Sequence, residues 1–306
     1  MSNRDSKQGY EFHTPVMVKE VISYLLPSHQ LPKIDGKLPM FIDATVGGGG
    51  HAQAILENLS SGIVVGLDCD VDAIEYTKKR LQNYTNFHLF HTTYTNIDKV
   101  ALEFPNYYIK GILFDLGVSY YQIMTPSRGF TYSSAGPLDM RFNQSLPARS
   151  AKEIIRHASL YDLRKIFSEY GEERYAHKIA TQIHTQRNYI NTTLELADII
   201  KKAIPGQKQN KSLSRVFQSL RIVVNNELEN IKIGIEKAIK LLTTGGRILV
   251  IAYHSLEDRL VKQTFRNYAN LEFLKILIKK PLVPQLSEVS VNPPARSAHL
   301  RAAEKI

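Results

Sequence analysis

Three carboxylates stand where a cofactor could use them. Asp43 lies in the apolar run from Met40 to Val46, just ahead of four consecutive glycines, Gly47 to Gly50. Asp68 ends a second apolar run, Ile63 to Leu67, and Asp115 ends a third in Phe114-Asp-Leu-Gly-Val-Ser119. Glycine is costly in backbone entropy, so four in a row are kept where a side chain would block something. The usual reason is a ligand pressed against bare backbone at a helix N-terminus. Gly47-x-Gly49-x-x-Ala52 fits a nucleoside-binding loop, with Asp68 about twenty residues on as the carboxylate that grips a ribose. Taken alone, the pattern leaves a nicotinamide dehydrogenase and a purely structural turn open. A P-loop is excluded, because no Gly-Lys-Ser/Thr follows the glycines. Asp43 and Thr45, just before the loop, would meet an ammonium group but repel a pyrophosphate. A cleft ringed by Asp43, Asp68 and Asp115 therefore favours S-adenosyl-L-methionine, with its sulfonium and amino group, over NAD.

Asp115 also has a chemical task open to it. The lone pair of a nucleobase amino group is delocalised into the ring, and acceptors placed against its N–H groups would aim that lone pair at a methyl donor. Amino-methyltransferases carry Asn/Asp-Pro-Pro-aromatic at this place, where this chain has Asp115-Leu-Gly-Val118. Asn292-Pro-Pro-Ala295 looks like that tetrapeptide, but it lacks the aromatic and follows the last sheet elements, so it reads as a surface turn. His254, in His254-Ser-Leu-Glu-Asp258, could orient the base or accept a proton, with Ser255 capping a helix and Asp258 at its third position. His13 could line the site, and Tyr120 and Tyr121 could stack on a base or simply pack. No His/Cys cluster has metal-ligand spacing.

The elements that must position these groups follow from periodicity. Apolar runs at 40–46, 63–68, 87–91, 109–114 and 247–252 read as strands, with helices at 51–59, 71–82 and 97–104 between the first four. This alternation predicts a parallel, doubly wound α/β sheet, which binds ligands beyond the carboxyl ends of its strands. It stops at Leu116–Asn143, a loop-like stretch, and gives way to helical patterns from 150 to 204. Pro205 to Ser214 reads as a polar loop and Val216 to Leu242 as one long helix. The expected organisation is a discontinuous α/β domain, 1–144 and 215–306, with an all-helical insertion at 145–214.

The net charge is +10, and the stretch from Arg149 to Arg215 holds 13 Lys/Arg against 7 Asp/Glu. Charge concentrated in one segment, with no run long enough to span a bilayer, points to a polyanionic partner such as nucleic acid. The polar N-terminus, Met1 to Tyr10, lacks a signal-peptide core, and Cys69 is the single cysteine, which together suit the cytoplasm.

The chain resembles the bacterial 16S ribosomal RNA (cytosine-N4)-methyltransferases from His13 to Glu304. The resemblance is carried by Asp43-Ala-Thr-Val-Gly-Gly-Gly-Gly-His51, Asp115-Leu-Gly-Val-Ser119, Gly136-Pro-Leu-Asp-Met-Arg141, Tyr170-Gly-Glu-Glu-Arg174, Phe217-Gln-Ser-Leu-Arg221 and His254-Ser-Leu-Glu-Asp-Arg259. It implies a class I (Rossmann-like) methyltransferase sheet with the helical insertion above. It implies S-adenosylmethionine contacts at Gly49, Gly50, His51, Asp68, Tyr94, Asp115 and Gln122, with Tyr94 on the adenine. Tyr120-Tyr121 replaces a Ser-Pro-like pair and alters the local shape of the base pocket. The implied substrate is a decoding-region cytosine of 16S rRNA within the small (30S) subunit, with no obligate protein partner. In this reading Asp115 polarises the amine, His254 and the Asp139-Met-Arg141 loop place the base, and Arg164, Lys165, Arg174 and Lys178 meet phosphates. An NAD-dependent oxidoreductase and a non-catalytic ribosome-binding factor are the rival classes.

Overall fold

The structure, a computed structural model, describes residues 15–27 and 32–306; the expectations for His13 and for the first ten residues lie outside them. A first helix, α1 (Val18–Leu25), precedes the elements expected of the first half, which form with small shifts: β1 (Leu38–Asp43), α2 (Gly50–Asn58), β2 (Ile63–Asp68), α3 (Val71–Arg80), β3 (Phe87–His91), α4 (Ile97–Ala101) and β4 (Tyr107–Asp115). Strands β1 and β2 are buried almost throughout, as expected of a parallel sheet covered on both faces.

The middle is helical: α5 (Tyr120–Met124), α6 (Ala151–His157), α7 (Leu160–Glu169), α8 (Ala176–Gln186), α9 (Thr193–Ala203), α10 (Gln209–Asn225) and α11 (Glu227–Leu241). Capping boxes start α5, α6, α7 and α9, through Ser119–Gln122, Ser150–Glu153, Ser159–Asp162 and Thr192–Glu195. Then follow β5 (Arg247–Ala252), α12 (Ser255–Asn270), β6 (Leu274–Ile276), α13 (Leu286–Val291) and β7 (His299–Lys305).

The seven strands lie in the order β3-β2-β1-β4-β5-β7-β6. Strands β1 to β5 are parallel, and β7 runs antiparallel between β5 and β6. Chain order reverses between β1 and β4, so the crevice of a doubly wound sheet opens at their carboxyl ends. Asp43, Asp68 and Asp115 end β1, β2 and β4, three neighbouring strands, and so gather at that crevice. One face of the sheet packs on α4, α11 and α12 through Ile97, Ile235 and Val261. The other packs on α1 and α2 through Val21, Leu25, Ala52 and Ile55.

A third core joins α6 to α10 around Leu163, Phe167, Ile179, Ile200 and Leu220. It also draws in Phe130, Leu138 and Met140 from before residue 145, and Val216 and Phe217 from after 214. Two expectations are corrected here. The stretch 205–214 is not all loop: α10 begins at Gln209, because Leu213, Val216, Phe217 and Leu220 already follow a helical apolar spacing. The long helix to Leu242 is broken at Asn226, whose φ of 49° is left-handed. Asparagine tolerates that conformation, and the neighbouring Asn225 side chain holds the break by donating to the Met140 carbonyl and accepting from the Phe142 N–H, both at 2.8 Å.

Candidate active site

At the reversal between β1 and β4 lies a cleft of about 540 Å³. Its floor is the glycine loop and the ends of β2 and β4; its rim is α5, residues 141–148 and the α10–α11 junction. The loop is tied down from two sides. Asp68 accepts from the Gly47 and Asp70 N–H groups, both at 2.9 Å, and Arg80 donates to the Gly48 carbonyl at 2.9 Å. Gly49, at φ 76°, is turned towards α3, where a Cβ would come within 3.0 Å of Thr77. Gly50 has no room for one either: it would meet the Pro15 ring at 2.7 Å. The bare backbone of Gly47, Gly48 and Gly50 faces the cleft; Gly49, expected as a cofactor contact, supports the loop from behind.

Asp43 is also displaced from its expected role. It follows Phe41 on the face of β1 that packs under α1 and α2, and it is 1% exposed, outside the cleft lining. One oxygen accepts from the Thr45 N–H at 3.3 Å and the other has no hydrogen-bond partner. Burial, with Asp115 and Asp68 adding to it, pushes Asp43 up to about 8; burial likewise pushes Asp68 up to about 6 against the Asp70 and Gly47 N–H groups.

Asp115 lies in the cleft, held at several points. Its N–H donates to Thr45 Oγ1 at 2.6 Å, and the Tyr253 hydroxyl donates to Oδ1 at 2.8 Å. His51 Nδ1 is 3.5 Å from Oδ2. His51 Nε2 donates to the Val16 carbonyl at 2.9 Å, and burial pushes the imidazole down to about 4. The ring is therefore neutral near pH 7 with its lone pair on Nδ1, so its contact with Asp115 is not an ion pair. Tyr94 lines the cleft after β3, edge-on to Phe114 at 5.6 Å, and Gly234 of α11 leaves room for its ring.

Gln122 reaches the cleft, but both faces of its amide are used: Oε1 accepts from the Ser119 N–H and Nε2 donates to Asp70. Arg128 also bonds Asp70 and Asp72 and two carbonyls, Arg141 and Phe142. Together they fasten the 115–143 segment to the start of α3. Arg141 lines the cleft, locked in a two-point pair with Asp139 at 2.8 Å. Arg164, Lys165, Arg174 and Lys178 are exposed on and beside α7 and α8, away from the cleft lining.

His254 is corrected. It is itself the N-cap of α12, its Nδ1 accepting from the Glu257 N–H, so Ser255 is not the cap and Asp258 is not at the third position. It lies outside the cleft lining, 3.1 Å from the fully buried Glu257. Arg221 bonds Glu227 twice, at 2.7 and 2.8 Å, and comes within 3.7 Å of Glu257. Burial pushes Glu257 up, and His254 and Arg221 outweigh it, leaving the carboxyl below its ordinary value. Glu227, His254 and Glu257 converge closely enough to hold a metal ion, but the Arg221 guanidinium already compensates their charge. Asn292-Pro-Pro-Ala295 is a turn at the surface, as expected, with Pro293 and Pro294 exposed; Ala295 anchors it, fully buried, and Pro294 and Ser297 reach the cleft.

Tyr253, Arg221 and Glu227 were not among the residues expected at the site. Alternation along β5 carries a signal for the first: Leu249, Ile251 and Tyr253 share one face, which puts the phenol beside Asp115.

The donor set suits a cation. Asp68 and Asp115 both line the cleft, and the cradle is glycine backbone with no lysine for a phosphate. A sheet of this order with such a cleft at its reversal defines a class I, S-adenosylmethionine-dependent methyltransferase. Residues 10–306 match the family model of the MraW methylase family, and the chain belongs to that family. It is 43% identical to the ribosomal RNA small subunit methyltransferase H of Halothermothrix orenii, over 96% of this chain and 98% of that one. With the protein of the same name from Pseudothermotoga lettingae it shares 42% identity, over 96% and 98% of the two chains. A solved rRNA methylase from Streptococcus thermophilus overlays at 14% identity and a TM-score of 0.40, covering 89% of each chain.

Proposed function

We propose that this chain transfers the methyl group of S-adenosylmethionine to N4 of a cytosine in the decoding region of 16S rRNA, within the small (30S) ribosomal subunit. The observation that carries the reading is Asp115: a carboxylate in an acidic cleft, fixed by Thr45 and Tyr253, with one oxygen beside a neutral histidine. The relatives' names, ribosomal RNA small subunit methyltransferase H, support the substrate class.

The bound cofactor supplies an electrophilic methyl group on a sulfonium. Asp68 takes the ribose hydroxyls, Tyr94 packs on the adenine, and the backbone of Gly47, Gly48 and Gly50 makes room for the methionine part. His51 closes that end of the cleft. Gln122 keeps α5 against Asp70, and Asp43 holds the turn beneath the glycines. Asp115 accepts an N–H from N4 of the cytosine, which turns the nitrogen lone pair out of the ring and towards the methyl group. As the N4–methyl bond forms, the carbon–sulfur pair stays with sulfur and N4 sheds a proton, which Asp115 is placed to receive. His254 acts indirectly, by ordering the start of α12 beside the cleft.

The target base must be unstacked before its edge can enter. Arg141, held by Asp139, faces the incoming nucleotide, and the helical layer with Arg164, Lys165, Arg174 and Lys178 serves as the docking face for phosphates. Incubation with radiolabelled S-adenosylmethionine and subunits lacking the modification tests this. Label enters RNA with the native protein and not with Asp115→Ala, while Asp115→Ala still binds subunits. Binding without transfer by the native protein would mark a non-catalytic factor instead.

A further inference from the structure

We propose that a second groove, on α12 and β6, binds the phosphate backbone of the rRNA that flanks the target cytosine. This rests on the rRNA reading above and adds a contact surface to it. The groove is a cavity of about 250 Å³ outside both the cleft and the helical layer. Lys262, Arg266, Lys279 and Arg301 line it, over an apolar floor that includes Phe265 and Ile278.

Its charge is not spent internally. Arg301, 7% exposed, is bound at two points to Asp258, at 2.6 and 2.9 Å, which cancels the acid nearest the floor. Lys262, Arg266 and Lys279 are exposed and form no salt bridge among the described residues. Three uncompensated cations over one pocket repel one another, and an anion relieves that repulsion. The volume is below the usual range for small-molecule sites.

Position along α12 links the groove to the substrate. The helix starts at Ser255, beside the cleft, and Lys262 lies about 10 Å further along its axis. Arg259, Lys262 and Arg266 are spaced three and four residues apart, so they form one stripe leading from the cleft into the groove. Arg259 is paired with Glu172 of the helical layer at 2.9 Å, and Glu172 also accepts from Ser255 at the start of α12. A strand of RNA leaving the cleft along this stripe meets the unpaired Lys262 and Arg266 in succession, with Lys279 across the groove.

The test compares native protein with the triple variant Lys262→Ala, Arg266→Ala, Lys279→Ala, all at exposed positions, in binding and methylation of small subunits across a salt series. A second triple variant, Lys78→Ala, Lys79→Ala, Lys232→Ala, removes equal charge elsewhere. Loss of three phosphate contacts makes the slope of log affinity against log salt shallower by about 2. KM for subunits rises at least tenfold at low salt, while kcat at saturating subunit and S-adenosylhomocysteine affinity stay unchanged. The control variant shifts the slope by less than half as much. A slope and KM equal to native, or equal losses in both variants, overturn the groove while leaving the methyltransferase reading in place. Native protein that neither binds nor methylates subunits overturns both.

Discussion

Replacing Tyr253 with phenylalanine isolates what holds Asp115. The variant keeps the ring that packs near Gly117 and under α1 and removes only the hydroxyl, so the fold is retained. What is lost is a 2.8 Å hydrogen bond to a carboxylate whose side chain is 14% exposed. A hydrogen bond to a charged group contributes about 1.5–3 kcal/mol, and water entering the open cleft restores part of it. About 1.4 kcal/mol of lost transition-state stabilisation corresponds to a roughly tenfold fall in kcat. Steady-state methylation of small subunits reads the loss in kcat, with KM for S-adenosylmethionine held within about twofold because the ribose and adenine contacts are untouched. An unchanged kcat, or a loss confined to KM for RNA, would refute the role assigned to the phenol.

Gly234→Ala puts a Cβ 2.6 Å from the Tyr94 ring; overpacking of this kind costs about 1–3 kcal/mol, seen as a lowered melting temperature, and S-adenosylhomocysteine binding weakens with it. Cofactor binding is pH-dependent with a defined sign. Asp68 sits at about 6 in the free protein, and the positive charge of the bound cofactor favours its ionised form. The complex therefore holds fewer protons, and affinity rises as pH goes from about 5 to 7. Calorimetry in buffers of different ionisation enthalpy detects the released protons, and a flat profile contradicts the raised carboxylate. Reversing charge at Arg164 and Lys165 weakens subunit binding and flattens its salt dependence by about 1.4 in slope; an unchanged slope removes α7 from the docking face. Arg221→Met strands two buried carboxylates, Glu227 and Glu257, and lowers stability by about 3–5 kcal/mol in urea unfolding.

The sheet was legible because its signals are local. Apolar runs ending in Asp68 and Asp115 mark strand ends, and a doubly wound sheet brings such ends to one crevice. What sequence left out depends on contacts distant in the chain. Asp43 looked like a cleft residue because it precedes the glycines, but strand alternation turns it beneath them. Serine is the better cap by propensity, and His254 takes the position because Glu257, three residues on, is buried against Arg221. The break at Asn226 is hidden because apolar spacing continues across it, while the bonds of Asn225 to the 140–142 segment and of Arg221 to Glu227 hold it. The third core extends to Phe130 and Leu220 for the same reason: the 115–143 segment looks like loop, yet its apolar residues pack on α10.

Asp115 is proposed to direct the methyl group to an exocyclic amine of cytosine in the decoding region. Small subunits lacking the modification, treated with native protein and S-adenosylmethionine, are digested to nucleosides and oligonucleotides and read by mass spectrometry. N4-methylcytidine is expected at one decoding-region position and is absent with Asp115→Ala. Methyl groups on a ring carbon, on a ribose or on another base, or scattered over many cytosines, would contradict it.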